Sequence, residues 1–190
     1  MHIKDRWSKR SRKQSLEDIA GALAFISWKI ATNAVVEIEN QGFTTESHAH
    51  RLTLIGEFLA FLLQIADRLS YEQMDNEARQ RFVTALALQM AKTFADNKRD
   101  LVGEGEHQKA FVDLLNQRAV DYAEFSFHEG QAGFDLLRYF AEQVTKIMQG
   151  ERWVSEYIVD VRGPDAVKDL KKSLHSLLTS SAHVISQSVS

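Results

Sequence analysis

The chain has 190 residues, of which none is cysteine, one is proline and nine are glycine. Without cysteine it has no disulfides, thiolate zinc sites, iron–sulfur clusters or cysteine nucleophiles. So few glycines and prolines cannot supply the turns that an all-β chain needs about every 8–12 residues. Hydrophobic residues make up 44% and charged residues 26%, as in globular proteins. The composition therefore predicts a soluble, helical protein of the cytoplasm.

Charge is divided unevenly along the chain. The formal net charge is −3, but the first 13 residues carry +5, so the remaining 177 carry −8. We expect residues 1–14 to form a flexible basic arm that contacts a partner protein or an anionic surface. Sequence-specific nucleic-acid binding is not expected, because no helix-turn-helix signature accompanies the arm. Its cations are Lys4, Arg6, Lys9, Arg10, Arg12 and Lys13.

Two apolar runs are candidates for a membrane span. Residues 19–28 form a run of 10, and residues 52–66 form a run of 15 that is interrupted by Glu57 and Gln64. A transmembrane helix needs about 20 predominantly apolar residues. Glu17 and Asp18 precede the first run, where a signal peptide is not acidic. The sequence therefore predicts that the protein is not transmembrane.

Capping residues and glycines divide the chain into helices. The predicted helices cover residues 15–40, 44 or 45 to 69, 70–97, 106–128, 134–149 and 153–161, followed by a last helix after a break at Gly163-Pro164. Ser15 with Asp18 and Ser70 with Gln73 resemble capping boxes, and Gly42 and Gly130 are predicted helix ends. The expected fold is all-α, an antiparallel bundle of about six to seven helices in one domain over residues 15–180. Residues 181–190 are a serine-rich tail.

The second predicted helix is apolar around most of its circumference. A surface helix needs an apolar stripe slightly wider than about 100°, whereas this one covers about 200°. Such a helix lies at the centre of a monomeric bundle, or it also faces a second subunit. The sequence analysis favours the second arrangement, a homodimer with twofold symmetry.

A narrow polar stripe runs along the same helix. Glu57 has apolar neighbours on adjacent turns and no lysine or arginine three or four residues away. Burial without a cation would raise the pKa of its carboxyl. The stripe is a candidate ligand-binding seam, and the alternative is a thin solvent-facing edge. Its candidate ligand-binding residues are His50, Glu57, Gln64 and Arg68.

Acidic residues and histidines also recur at helical spacing. Glu124 and His128 lie four residues apart on the fourth predicted helix, and His50 lies four after Glu46. Helical carboxylate–histidine pairs are metal ligands in di-iron bundles. His50, Glu124 and His128 are therefore weak metal candidates, although chance accounts for about as many pairs. The remaining polar residues of that helix, Asp121 among them, are expected to face solvent.

Three functional classes remain open. The preferred one is a non-catalytic, homodimeric interaction or regulatory module without a cofactor. The second is a bundle that binds a small molecule along the polar stripe. The third is a metal-dependent helical enzyme. No G-x-S-x-G or phosphate-loop motif occurs in the chain, so no catalytic residue is assigned.

Overall fold

A computed structural model of the protein describes residues 14–149 and 152–186. It is an all-α bundle with one two-stranded hairpin, which confirms the predicted fold class. The first four helices are α1 (Leu16–Asn40), α2 (His48–Tyr71), α3 (Asn76–Val102) and α4 (His107–Tyr122). The hairpin comprises β1 (Phe127–His128) and β2 (Gln131–Ala132). After it come α5 (Phe134–Ile147), α6 (Arg152–Tyr157), a π-helical segment (Ile158–Arg162) and α7 (Gly163–Ser186).

Helix α2 is the central helix of the bundle. It packs against α1, α3, α4, α5 and α7, and its buried residues run from Leu52 to Ser70. The apolar surface that suggested a homodimer is therefore covered within a single chain. The homodimer stays a prediction, now without that support.

Aromatic rings fix the distances between α2 and its neighbours. Phe140 of α5 stacks on Phe61 with ring centroids 4.1 Å apart and meets the edge of Phe58 at 4.9 Å. On another side, Phe94 of α3 lies so close to α2 that a Cβ on Gly56 would be 2.9 Å from its ring. Glycine at this position allows α3 to approach the central helix.

The predicted N-terminus of α1 is confirmed, but those of α2 and α3 are wrong. Ser15 and Asp18 form the reciprocal capping box. The Ser47 side chain caps α2, because the Thr45 hydroxyl donates instead to the Glu39 carboxylate. Helix α2 continues through the predicted start of α3, and the Asp75 carboxylate accepts the Ala78 N–H at 2.8 Å to cap α3.

The predicted extension of α4 to His128 is also wrong. The helix ends at Tyr122, and the chain turns into the hairpin. Glu129 and Gly130 form its two-residue loop, and both have positive φ (53° and 72°). Two positive φ values in a two-residue loop are typical of a type I′ turn, which matches the twist of the strands. Helical periodicity therefore extended the predicted helix six residues past its end.

Helix α7 begins at Gly163 as predicted, but Gly163-Pro164 does not break the helical stretch. The π-helical segment joins α6 directly to α7, so Pro164 lies inside a continuous helical stretch. Proline lacks an N–H and crowds the carbonyl four residues earlier. A π-helical turn is wider than an α-helical turn and accommodates such a residue. Helix α7 then runs to Ser186, six residues into the predicted tail.

One helix in the described residues meets the length and composition requirements for crossing a membrane. This helix is α1, with 25 residues, and half of its most apolar stretch is buried inside the bundle. A core helix of a soluble protein meets the same requirements. Within α1, the apolar run recognised in the sequence covers only residues 19–28, which is shorter than the whole helix.

Candidate functional site

The centre of the polar stripe on α2 is an ion pair with α4. Arg118 donates from Nε to Oε1 of Glu57 at 2.6 Å and from Nη2 to Oε2 at 3.1 Å. The side chains are 3% exposed for Glu57 and 16% for Arg118. Two parallel hydrogen bonds between a guanidinium and a carboxylate combine charge with fixed geometry. The stripe therefore faces α4 at this point rather than solvent.

Further polar groups surround Arg118. It also donates to the Asp121 carboxylate at 3.0 Å and to the Gln143 side-chain oxygen of α5 at 3.3 Å. The Tyr139 hydroxyl of α5 donates to the same Asp121 carboxylate. We name Glu57, Arg118, Asp121, Tyr139 and Gln143 the buried polar cluster; Glu57 and Gln143 are buried and the other three are half-buried. It joins three helices through charged and neutral hydrogen bonds.

The electrostatics of the buried polar cluster follow from these contacts. Burial lowers the pKa of Arg118, but hydrogen bonding and attraction to Glu57 outweigh it and leave the pKa raised. The hydrogen bond from Tyr139 and contacts with Arg118 lower the pKa of Asp121. Burial first, and then the bond to Asp121, raise the pKa of Tyr139 to about 12. At neutral pH the guanidinium is therefore charged, Asp121 is ionised and the phenol is protonated.

The sequence left open whether Glu57 is buried or faces solvent, and no partner was predicted for it. Arg118 is 61 residues away on another helix, so no short-range spacing indicates the pair. One signal was available: Arg118 lies between Leu115 and Tyr122 at the spacing of the buried face of α4. A cation at a core position requires a buried anion. Asp121, which was expected to face solvent, is half-buried and forms an ion pair with Arg118.

The polar groups of the buried polar cluster bond to each other and hold three helices together. The Glu57 carboxylate accepts hydrogen bonds at both oxygens, and Arg118 donates to three different side chains.

The neighbouring Tyr122 hydroxyl is buried and has no hydrogen-bond partner among the described residues. Burial, followed by the charge of Glu57, raises its pKa well above the ordinary value. It is therefore protonated at neutral pH.

The other candidate residues of the polar stripe contact different elements. Nδ1 of His50 accepts the Glu46 N–H at 3.1 Å, and its Nε2 lies 2.9 Å from the Ile147 carbonyl oxygen at the end of α5. Arg68 donates to the carbonyl oxygens of Tyr122 and Phe125 just past α4. Gln64 is half-buried.

The structure does not gather these residues into one site. His50 and Arg68 are separated by 18 residues, about 27 Å along α2. His50 and Arg68 each hold the end of a different helix, and Glu57 lies in the buried polar cluster between them. Together they fasten α2 to α4 and α5.

The metal candidates are separated as well. Because α4 ends at Tyr122, Glu124 lies in a turn and His128 on β1, and both are exposed. The predicted helical pairing of Glu124 with His128 is therefore wrong. His50 has both ring nitrogens in hydrogen bonds. Across residues 14–149 and 152–186, no three histidine, aspartate or glutamate side chains are placed to share a metal ion. All six cations of the predicted arm lie outside the described residues.

A second candidate site lies along α7, where the sequence analysis assigned none. Two adjoining cavities of about 450 and 360 Å³ share Lys168 and Lys171 and form one surface groove. The hairpin and α5 border one end, and the end of α2 borders the other. We name it the hairpin-side groove. Its lining residues include Gly130, Ala132, Leu137, Pro164, Val167, Lys168, Lys171, Lys172, Leu174, His175, Leu69 and Gln73.

The hairpin-side groove has charge of one sign. Lys168, Lys171, Lys172 and His175 line it, and none of its described lining residues is acidic. Lys171 donates to the Glu129 carbonyl at 3.2 Å, which fixes it against the hairpin loop. Within the described residues, none of the three lysines forms an ion pair with a carboxylate. The ammonium groups of Lys168 and Lys172 are therefore available to an anionic group from outside, and Lys171 keeps its charge uncompensated by any carboxylate of the described residues.

The opposite side of α7 differs from the groove because it carries charges of both signs. There α7 and α1 border two cavities of about 450 and 340 Å³. Their lining mixes Lys29, Arg162 and Lys168 with Glu37, Asp165 and Asp169. The buried Arg162 pairs with Glu37 across this side. The hairpin-side groove, in contrast, has no acidic side chain among its described lining residues.

The sequence contained a signal for this groove. Lys168, Lys171, Lys172 and His175 are spaced by three, one and three residues, so a helix places them on one face. From the sequence, only the N-terminal arm was predicted to contact an anionic partner, and this face of α7 was not considered.

No protein-family model matches the chain, and no curated protein or solved structure is significantly similar to it.

Proposed function

We propose that the protein is a non-catalytic helical interaction module and that it binds a partner in the hairpin-side groove. The carrying observation is the row of unpaired cations on α7 beside two adjoining surface cavities. In contrast, the polar groups of the buried cluster are directed at each other. The groups that remain available to another molecule therefore lie on α7.

A library of random peptides tests this proposal with the full chain as bait. Selected peptides are measured against the wild type, the variant Lys168→Glu/Lys172→Glu, and the control Lys92→Glu/Lys109→Glu. Both variants change the net charge equally, but Lys92 and Lys109 are exposed on α3 and α4, away from the groove. Peptides that lose binding only to the α7 variant support the proposal. If no selected peptide distinguishes the two variants, the groove is not the binding surface.

We retain the homodimer as a part of this proposal that needs its own test. Sedimentation equilibrium at micromolar concentration should give twice the chain mass of 21.6 kDa. Because α2 is enclosed, the contact would use another surface, and exposed Phe25 and Val36 on α1 are candidates. A species of the single chain mass over the whole dilution series would remove the homodimer and leave the groove proposal intact.

We further propose that the module works in the cytoplasm with α1 as a core helix. Support comes from the lack of cysteine and from the packing of α1 against α2, α3 and α7. Fractionation of cells that express the full chain tests the proposal. Recovery in the membrane fraction after a high-salt wash would contradict it.

A further inference from the structure

We infer that the occupant of the hairpin-side groove is a short acidic segment of a partner protein. This inference rests on the proposed function and adds the chemistry of the partner. Its carboxylates would meet the ammonium groups of Lys168, Lys171 and Lys172, with His175 at the far end. Charge complementarity of this kind sets orientation and excludes basic partners.

The length of the groove suits a segment of limited size. From Pro164 to His175, α7 rises about 17 Å. That length accommodates about five extended residues or eleven helical residues. Each cation of the row lies within one helical turn of the next, so carboxylates one turn apart on a helical segment match the spacing.

The walls of the groove limit the apolar contribution to binding. Leu137, Val167, Leu69 and Leu174 are at most 9% exposed, so they form a closed floor rather than open pockets. Contact area comes instead from the exposed Pro164 and from the methylene stems of the lysines, which cover apolar surface while their charges stay in water. Binding should therefore depend strongly on charge and weaken as salt screens it.

The remaining charge of the chain favours a short acidic segment over a long polyanion. Residues 14–190 carry a formal charge of −8, so the cations of α7 belong to a net acidic body. A nucleic acid extends past the groove and would meet that acidic surface. The described lining residues include no phenylalanine, tyrosine or tryptophan on which bases could stack. An acidic peptide that ends with the groove avoids both problems.

Fluorescence anisotropy with labelled synthetic peptides of about twelve residues tests the inference. One probe carries glutamates one helical turn apart, the second replaces them with glutamine, and the third replaces them with lysine. The wild type should bind the glutamate probe, with affinity that falls as salt rises, and should bind the other two at least about tenfold more weakly.

The charge-reversed protein supplies the decisive comparison. Lys168→Glu/Lys172→Glu should lose about tenfold in affinity for the glutamate probe and gain affinity for the lysine probe. Lys92→Glu/Lys109→Glu should behave like the wild type. Equal losses in both variants would mean that net charge alone acts, and would overturn the inference.

Other occupants are outcomes of the same assay. Tighter, lysine-dependent binding of a single-stranded oligonucleotide or of phosphatidylserine vesicles would assign the groove to a different polyanion. Groove-dependent library peptides without acidic residues would overturn the acidic segment but keep the interaction module. A library without groove-dependent peptides would overturn the module itself.

Discussion

Arg118 of α4 contacts both carboxylate oxygens of Glu57 on α2, at 2.6 and 3.1 Å, in the interior of the bundle. The pair connects the central helix to a helix that is 61 residues away in sequence. Removing one partner of such a pair leaves the other buried without compensation.

Glu57→Gln should therefore destabilise the protein by about 3 kcal/mol in urea denaturation at neutral pH, at the low end of values for broken buried pairs. Asp121 still neutralises part of the Arg118 charge, which limits the loss. Glu124→Gln, an exposed carboxylate, is the control and should be neutral within about 0.5 kcal/mol.

Replacing both partners separates the ion pair from the cost of a stranded charge. Glu57→Met/Arg118→Met should recover most of the stability lost by Glu57→Gln, because apolar residues of similar volume pack without an unpaired charge. A double variant that is as unstable as the single one would show that the guanidinium is needed for its other bonds to Asp121 and Gln143.

The acid sensitivity of the fold should depend partly on Asp121. Its folded pKa is lowered by Tyr139 and Arg118, so its stabilising effect is complete above the unfolded pKa of about 3.9. That effect is lost as pH falls through the folded pKa. The difference in urea midpoint between wild type and Asp121→Asn should be greatest near neutrality and should shrink below about pH 4. A difference that is independent of pH would contradict this assignment.

Tyr139 should make the fold sensitive to alkali. Burial and the bond to Asp121 raise its folded pKa to about 12, above the unfolded value of about 10. The folded state therefore resists ionisation, and stability is lost as pH rises from about 10 to 12. A titration of tyrosinate absorbance should show a step near pH 12 that is missing in Tyr139→Phe, whereas the still later ionisation of buried Tyr122 remains. An unchanged titration curve in the variant would assign the step to another tyrosine.

Arg68 should control the end of α4. Its guanidinium donates one hydrogen bond to the carbonyl oxygen of Tyr122 and one to that of Phe125. Arg68→Ala should lower the unfolding free energy by about 2 kcal/mol. It should also accelerate hydrogen exchange of the Gly133 amide, which bonds to Ser126 across the hairpin. Arg68→Lys should recover part of the protection, since one ammonium replaces a guanidinium. Unchanged exchange in Arg68→Ala would show that the turn holds the hairpin alone.

The sequence predicted those features of the fold that depend on residues close together in the chain. The capping box at Ser15 lies within one helical turn, and composition alone indicated the helical class. The end of α4 depends on a hairpin turn and on Arg68, more than 50 residues earlier, so helical periodicity extended it wrongly. Glu57 was recognised as anomalous from its apolar neighbours, but its partner exists only in the folded chain. A row of cations on one helix face was readable, yet only the cavities beside it distinguish it from an ordinary solvated face.

The π-helical segment sets the rotational phase of α7. From Val154 to Leu174 a buried residue occurs at every fourth position: Val154, Ile158, Arg162, Ala166, Leu170 and Leu174. An α-helix turns about 100° per residue, so a strict four-residue repeat would drift around it by about 40° at each step. The wider π turn absorbs part of that drift. Loss of one residue there would rotate α7 by about 100° relative to α6 and carry its lysines away from the hairpin. The position of the basic row therefore depends on the residue count of a segment that is not among the lining residues of the groove.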